Sequence, residues 1–167
     1  MERRLQAGEK IREQRCLIQL LKPVFFVVFL LPGFDHRLGW SRALLGAAPA
    51  WLSLIADALI LGCFLLLFWV LRVNSFASRT IQVESGQKVI SSGPYALVRH
   101  PMYAASAALW LATPLALGSY VALPAFAFLT PFYVLRLLNE ESFLRRELPG
   151  YDEYCRRTRC RLIPYVW

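Results

Sequence analysis

The feature that most constrains the fold is one long apolar run, PAWLSLIADALILGCFLLLFWVL, over residues 49–71. Asp57 is the one charged residue within it. Since an α-helix rises about 1.5 Å per residue, a run of this length crosses a hydrocarbon core of about 30 Å. We therefore predict a transmembrane helix here and place Asp57 in its outer third.

Two further regions of the chain are apolar enough to lie in a membrane. Residues 16–31 form a run that is interrupted by Gln19, Lys22 and Pro23, and residues 104–135 carry no charge. The second region is too long for one straight span, and its LGSY sequence favours two helices joined as a hairpin. The four predicted spans cover residues 16–31, 49–71, 103–117 and 120–138.

The composition supports this interpretation. Hydrophobic residues make up 57% of the chain and the mean hydropathy is +0.43, which is too apolar for an ordinary soluble domain of 167 residues. The sequence shows no internal repeat and no flexible linker, so residues 1–167 are treated as one domain. We predict an all-α, multi-span integral membrane protein.

The basic residues are distributed unevenly around the predicted spans. Lys and Arg number five before the first span, four in the loop 72–100 and seven from Arg136 onward, but only two in the loop 32–48. Since cytoplasmic loops carry the excess of positive charge, both termini, the loop 72–100 and the tail 139–167 are predicted to be cytoplasmic. Basic residues split in this way form no single nucleic-acid-binding face, and we expect membrane lipids as their partners.

The cysteines and histidines do not form a metal-binding pattern. The four cysteines include no C-x-x-C pair, and the chain has two histidines. This spacing does not suit a metal site, and Cys63 in the second span is not placed for a disulfide framework. We expect no metal, and free thiols in a reducing compartment.

The segment SSGPYALVRHPMY, residues 91–103, places polar groups directly before an apolar run. Pro101 suits the first turn of a helix, so His100 is predicted near the N-cap. The free N–H groups of a helix start, together with Arg99, favour an anionic group such as a carboxylate. The alternative is that Arg99 and His100 only anchor the span at the lipid headgroups.

The loop before this segment contains β-branched residues in short alternation, with turn signals at Gly86 and SSGP. This pattern indicates extended or hairpin structure against the cytoplasmic face, where backbone donors could hold a polar ligand. An ordinary connector between two spans is the alternative.

Acidic and basic residues occur together where the last span leaves the membrane. Helical spacing puts Tyr133, Arg136, Glu140 and Leu144 on one face. Arg136 and Glu140 could form a simple intrahelical ion pair, but acids do not help to orient a membrane protein. Glu140 and Glu141 are therefore predicted to form a paired-acid site for a cationic group.

Three blocks occur in order within residues 74–164: GPYALVRHPMY, then NEE after an apolar hairpin with LGS, then GYDEYCRRTRCRLIP. They resemble the isoprenylcysteine carboxyl methyltransferase family, together with the related phospholipid N-methyltransferases. The resemblance implies a multi-span helical enzyme that takes S-adenosylmethionine from the cytosol and an apolar or lipidated acceptor from the bilayer. It also suggests an N-terminally short form of the bacterial type, placed in the inner membrane.

The resemblance also implies roles for individual residues. Arg136 would bind the carboxylate of the acceptor, and Arg136 and His100 are the candidate catalytic residues. The implied cofactor contacts are Gln87, Lys88, Val89 and Ile90 in a strand, Tyr95, His100, Pro101, Tyr103 and Glu140, with Glu141 beside them.

The atom that accepts the methyl group is left open. Methyl transfer from a sulfonium is an in-line displacement, and a carboxylate needs no general base because it is already ionised. An amine or thiol would have to lose a proton, which His100 or Glu141 could take. The alternatives to a carboxyl or thiol methyltransferase are a phospholipid N-methyltransferase, a sterol reductase that uses NADPH, and an inactive membrane adaptor.

Overall fold

The computed structural model describes residue 19, residues 22–74 and residues 88–167. In this part of the chain every regular element is helical, so the all-α prediction is confirmed for it. The elements are α1 (22–38), α2 (Trp40–Leu45), α3 (Ala50–Val73), a 3₁₀ helix (Gly93–Ala96), α4 (Pro101–Ala116), α5 (Leu123–Glu147) and α6 (Tyr151–Arg157).

Helix α3 corresponds closely to the predicted second span. Among the described residues it is the one helix long and apolar enough to cross a membrane. Only 17% of its most apolar stretch is buried, whereas the core helix of a soluble protein would be mostly covered. Its outward side carries Asp57 and many large apolar side chains, which suits contact with lipid along most of its length. These apolar residues are Trp51, Leu54, Ile55, Leu59, Leu61, Phe64, Leu65, Phe68, Trp69 and Leu71.

The first helix differs from the span predicted over residues 16–31. Helix α1 continues to residue 38, and a turn at Gly39 leads into α2, so the predicted loop over 32–48 is wrong for most of its length. Gly39 has a φ of 72°, a left-handed conformation that glycine adopts without steric cost. Residues 16–18, 20 and 21 lie outside the described residues.

A buried polar contact accompanies the continuation of this helix. The carboxylate of Asp35 is 3% exposed and accepts hydrogen bonds from the backbone N–H of Ser41 at 2.7 Å and from the hydroxyl groups of Ser41 and Ser119. The Ser41 hydroxyl oxygen in turn accepts a bond from the N–H of Val121 at 3.0 Å. These bonds tie α1 and α2 to the turn between α4 and α5.

The predicted hairpin is confirmed, with its turn at residues 117–122. Gly118 has a φ of 66°, and the N–H of Ser119 closes the end of α4 on the carbonyl of Pro114 at 2.8 Å. Helix α5 then runs past residue 138 to Glu147, because its charged last turns remain helical beyond the apolar run. The spans predicted at 103–117 and 120–138 therefore correspond to α4 and to most of α5.

Three helices share one hydrophobic core. Val28 of α1, Trp110 of α4, and Phe126 and Leu129 of α5 are buried against one another. The indole N–H of Trp110 donates to the carbonyl of Phe126 at 2.9 Å, so a polar bond joins the hairpin helices in addition to packing. A second cluster, formed by the tail after α5, packs against the loop before α4. It brings these two segments together near the polar end of the hairpin.

We expect residues 40 and 156 to lie on opposite sides of the membrane, as the distribution of basic residues predicts. In a variant without the native cysteines, Trp40→Cys should react with a membrane-impermeant thiol reagent in intact cells, and Arg156→Cys only after permeabilisation. Both positions are exposed, so burial does not limit the reaction. Labelling of both positions from the same side would contradict the predicted orientation.

Candidate functional site

Helix α4 begins as the sequence predicts, with His100 at the N-cap and Pro101 at the first helical position. The tail occupies the preceding backbone groups: the N–H groups of Arg99 and His100 donate to the carbonyls of Cys160 at 2.9 Å and Arg161 at 3.0 Å. Pro101 has no N–H. Only the N–H groups of the two residues after Pro101 therefore remain to bind an anion at the start of the helix. The helix itself provides no acceptors for these two groups.

The carboxylate of Glu141 lies at the centre of four basic groups. It is 3% exposed and contacts Arg161 Nε at 2.8 Å, Arg145 Nη2 at 3.0 Å, Arg99 Nη2 at 3.3 Å and His100 Nε2 at 3.6 Å. The guanidinium of Arg99 also donates to two carbonyl groups of the tail. This cluster joins the start of α4, the end of α5 and the tail.

These contacts keep Glu141 ionised. Burial alone would raise its pKa, but the close contact with His100, the hydrogen bonds from Arg161 and Arg145 and the charge of Arg99 outweigh burial, so the pKa lies well below its usual range. A carboxylate held in this way is a poor proton acceptor at neutral pH. Glu141 is therefore badly suited to act as a general base for an amine or thiol acceptor.

Glu140 lies in a different environment from Glu141, so the predicted paired-acid site is not formed. Successive residues of an α-helix point about 100° apart, which directs the two carboxylates to different neighbours. Glu140 is half-buried, and its Oε2 accepts a hydrogen bond from the hydroxyl of Tyr103 at 2.6 Å. Within the described residues its other oxygen accepts no hydrogen bond. Glu140 rather than Glu141 is placed to receive a cationic group from a ligand.

Tyr103 links the two residues that the sequence places on one face of α5. The Nε–H of Arg136 donates to the Tyr103 hydroxyl at 3.2 Å, and that hydroxyl donates to Glu140. We call this arrangement the Arg136–Tyr103–Glu140 bridge. The shared face is confirmed by this common contact. Helical spacing could not reveal the link, because Tyr103 belongs to another helix.

The loop before α4 holds Tyr95 between α3 and the tail. The Tyr95 hydroxyl accepts a hydrogen bond from Asn74 Nδ2 at 2.8 Å, and its carbonyl accepts one from the Tyr154 hydroxyl at 2.8 Å. Gly93, with a φ of 59°, permits the close approach to α3, since a Cβ there would lie 3.1 Å from Val73 Cγ2. Tyr95 is therefore fixed from two sides.

The predicted strand over residues 87–90 is not observed where the structure describes this segment. Gln87 lies outside the described residues, and Lys88, Val89 and Ile90 have no regular secondary structure. Val89 packs against the apolar cluster of the tail, so its β-branched side chain is partly buried without a partner strand. At Val89 the β-branched side chain is explained by this packing, and residues 75–87 lie outside the described residues. The cofactor contacts assigned to these four residues stay predictions.

A cleft of about 180 Å³ opens between this loop and α6. It is lined by Val89, Ser91, Gly150, Glu153, Tyr154 and Arg157. Tyr95 connects the cleft to the hairpin, because it packs on the same apolar cluster as Tyr154. Burial raises the pKa of Tyr95, and the nearby charge of Glu140 adds to this effect. The candidate site combines this cleft with the Arg136–Tyr103–Glu140 bridge, and Tyr95 lies near the charge of Glu140.

Sequence reasoning missed the roles of Arg145 and Arg161. Both were counted only as orienting charges, yet both contact Glu141. Arg145 follows Glu141 by one helical turn, so the spacing alone could have identified that contact. Arg161 gave no such signal, because the tail reaches Glu141 only through tertiary folding.

Metal-ligating side chains do not cluster in the described part of the chain. Cys63, Cys155 and Cys160 are free thiols, and Cys16 lies outside the described residues. The candidate site is therefore built from carboxylates, guanidinium groups and tyrosines.

Comparison with known proteins places this architecture in a family. A model of the phospholipid methyltransferase family matches residues 51–149, which is more than half of the chain. The chain belongs to the phospholipid methyltransferase family. In this phospholipid methyltransferase family member, the match covers α3 and the hairpin and includes all three residues of the Arg136–Tyr103–Glu140 bridge. The tail with Arg161 lies beyond the matched residues.

A delta(14)-sterol reductase of Mus musculus is also similar to this member of the phospholipid methyltransferase family. The two sequences are 34% identical over 91 residues, which is 53% of this chain and 22% of the reductase. The chain thus spans about a fifth of the length of that relative. The similarity concerns a part of the reductase and does not carry over the activity of the whole protein.

Proposed function

We propose that the protein is an S-adenosylmethionine-dependent methyltransferase that acts at the membrane on an apolar acceptor with an anionic group. The observation that carries this proposal is the Arg136–Tyr103–Glu140 bridge, which holds a cation and a carboxylate side by side at the polar end of the hairpin. S-adenosylmethionine supplies a methyl group activated on a sulfonium. Membership of the phospholipid methyltransferase family supports this reaction class.

The residues around the site suit the charges of S-adenosylmethionine. Glu140 would meet its ammonium group with the oxygen that Tyr103 does not occupy, and the N–H groups at the start of α4 would meet its carboxylate. Tyr95 and Tyr154 offer aromatic surface beside the cleft. We assign the cofactor to the side of the cleft and the acceptor to the side of Arg136.

Arg136 is assigned to the anionic group of the acceptor. It lies one turn after the half-buried Tyr133, where α5 changes from apolar to charged residues. A molecule in the bilayer could present its polar end to Arg136 while its chains stay in lipid. A carboxylate acceptor needs no general base, and Glu141 would be a poor one. This favours carboxyl methylation of an isoprenylcysteine-like acceptor, while the family match favours a phospholipid amine as the alternative.

The placement in the membrane is part of the same proposal. We assign the protein to the inner membrane of a bacterium as a multi-pass protein, with its termini and its site on the cytoplasmic side. Helix α3 supports a membrane location by its length and exposed apolar surface, and α1 carries a similar outward surface. The apolar residues of that surface are Val24, Phe26, Val27, Phe29, Leu30, Phe34 and Leu38.

A reductase activity is the second candidate, because the chain is similar to part of a delta(14)-sterol reductase. Calorimetry on the purified protein with S-adenosylmethionine and, separately, with NADPH decides between the candidates. Binding of S-adenosylmethionine supports a methyltransferase, binding of NADPH alone would select the reductase, and binding of neither would favour an inactive adaptor. Transfer of a labelled methyl group to an S-farnesylated cysteine derivative or to phosphatidylethanolamine then identifies the acceptor class.

Replacing Glu140 by glutamine should weaken S-adenosylmethionine binding about ten- to a hundredfold. The change removes the charge that would face the ammonium group, and losing a hydrogen bond to a charged group costs roughly 1.5–3 kcal/mol. Calorimetry on the folded variant measures the effect. The matched control is Glu147→Gln, an exposed glutamate of the same helix, which should bind like the wild type. Unchanged affinity in Glu140→Gln would remove Glu140 from the cofactor site.

A further inference from the structure

Tyr103 is a rigid side chain between two flexible ones. It is 8% exposed and lies in the first turn of α4, where its ring meets the ring of His100 edge-on at 5.9 Å. Arg136 and Glu140 are only half-buried, and each has several rotatable bonds. A buried tyrosine has few rotamers, so its hydroxyl oxygen is a fixed point in this part of the site.

The direction of both hydrogen bonds follows from the groups involved. A guanidinium only donates, a carboxylate only accepts, and a tyrosine hydroxyl can do one of each at the same time. Tyr103 therefore accepts from Arg136 at 3.2 Å and donates to Glu140 at 2.6 Å. One oxygen atom orients a cation on one side and a carboxylate on the other.

We propose that Tyr103 is a positioning residue that sets the distance between the acceptor and the cofactor by holding Arg136 and Glu140. This role rests on the proposed function, in which Arg136 binds the anionic group of the acceptor and Glu140 binds the ammonium of the cofactor. In-line methyl transfer depends on that distance, because a displacement of about 1 Å can cost about a hundredfold in rate. The hydroxyl of Tyr103 acts through its two neighbours and does not itself contact the reacting atoms.

The alternative to a positioning role is that the Tyr103 hydroxyl only stabilises the fold. Tyr103 belongs to α4 and its partners to α5, so the bridge could serve only to hold the hairpin together. The hairpin is also held by the bond from Trp110 to the carbonyl of Phe126 and by the core around it. Removing one hydroxyl group at the polar end should therefore change the stability of the hairpin little.

The test is Tyr103→Phe in the full-length protein in detergent, with Tyr120→Phe at the opposite end of the hairpin as the control. The variant keeps the ring and loses both hydrogen bonds. We expect the Kd for S-adenosylmethionine to rise about three- to tenfold, and kcat/KM for the S-farnesylated cysteine derivative or phosphatidylethanolamine to fall about thirtyfold or more. The thermal midpoint should match that of the control.

A double-mutant cycle shows whether the hydroxyl acts through Glu140. In the Glu140→Gln background, Tyr103→Phe should change the Kd for S-adenosylmethionine less than twofold, because its partner is already altered. If Tyr103→Phe weakened S-adenosylmethionine binding three- to tenfold in both the wild-type and the Glu140→Gln protein, the positioning role would be overturned. A folded Tyr103→Phe variant with the Kd and kcat/KM of the wild type would overturn it as well. A large fall in thermal midpoint with a parallel loss of both quantities would assign Tyr103 to the fold. Wild-type protein that binds no S-adenosylmethionine would instead refute the proposed function, and this role with it.

Discussion

Arg136→Ala should lower methyl transfer about a hundredfold or more, while S-adenosylmethionine affinity stays within about threefold of the wild type. Truncating one partner of a desolvated charge pair costs about 2–5 kcal/mol, and here the uncompensated partner would be the anionic group of the acceptor. The cofactor keeps its ligand in the variant, because the Tyr103 hydroxyl still donates to Glu140. Because the acceptor and the cofactor would use different residues of one helix, the variant should lose methyl transfer but keep its affinity for S-adenosylmethionine.

Cofactor calorimetry and methyl transfer on the same Arg136→Ala preparation measure this separation. If Arg136 and Glu140 formed only an exposed helical ion pair, worth about 0.3–0.5 kcal/mol, the variant would keep most of its activity. Arg146→Ala is the matched control, since Arg146 is an exposed arginine of the same helix. Activity near the wild type would exclude Arg136 from the acceptor site, and an equal loss of binding and transfer would assign it to the cofactor or the fold.

Glu141→Gln should destabilise the folded protein by about 3–5 kcal/mol, because it leaves buried positive charge without its partner. The side chain of Arg99 is 5% exposed and cannot regain water without rearrangement. For a chain of this size about 1 kcal/mol corresponds to about 2–4 °C, so the thermal midpoint should fall by about 6–20 °C. Glu147→Gln, at an exposed position of α5, should change the midpoint little. A shift no larger than in that control would contradict a stabilising role for Glu141.

The same carboxylate gives stability a pH dependence of definite sign. The pKa of Glu141 is lower in the folded protein than in the unfolded chain, where it is about 4.3. Its contribution is therefore present above that pH and is lost as the pH falls through the folded-state value. The thermal midpoint of the wild type should decrease on acidification below about pH 4, and Glu141→Gln should lose less because it has no carboxyl group there. Identical pH profiles for the two proteins would refute this assignment.

The apolar runs predicted α3 and the α4–α5 hairpin well, because a helix that faces lipid must be apolar along its length. The same reasoning failed over residues 32–48, where the chain stays largely helical. A carboxylate such as that of Asp35 is unfavourable in an apolar environment unless it has hydrogen-bond partners. Hydroxyl groups from Ser41 and Ser119 satisfy this carboxylate, and Ser119 comes from the distant hairpin turn. The hydropathy pattern along residues 32–48 contains no information about a hydrogen-bond partner from a distant part of the chain.

The candidate site was predicted in its residue types but not in its pairings. His100, Tyr103, Arg136 and Glu140 lie together as the motif order indicated. Glu141 was grouped with Glu140 because two adjacent acids look equivalent in a sequence. Their difference arises from Arg99 and Arg161, which reach Glu141 from separate parts of the chain. The sequence therefore indicated residues that lie together, whereas tertiary contacts determined which of the two carboxylates is available.

The backbone N–H groups of Arg99 and His100 find their acceptors in Cys160 and Arg161, in a segment that the ribosome synthesises after both helices of the hairpin. In the proposed multi-pass topology, helices α4 and α5 therefore enter the bilayer before the tail can close the entrance to α4. Arg99 and Glu141 can stay hydrated during this period, which spares them an unpaired transfer away from water. When the tail folds back, it adds Arg161 to Glu141 and two carbonyl groups to Arg99, which replace that hydration. In that topology, assembly would proceed from the bilayer outward, and the polar surface that would bind ligands would be completed last.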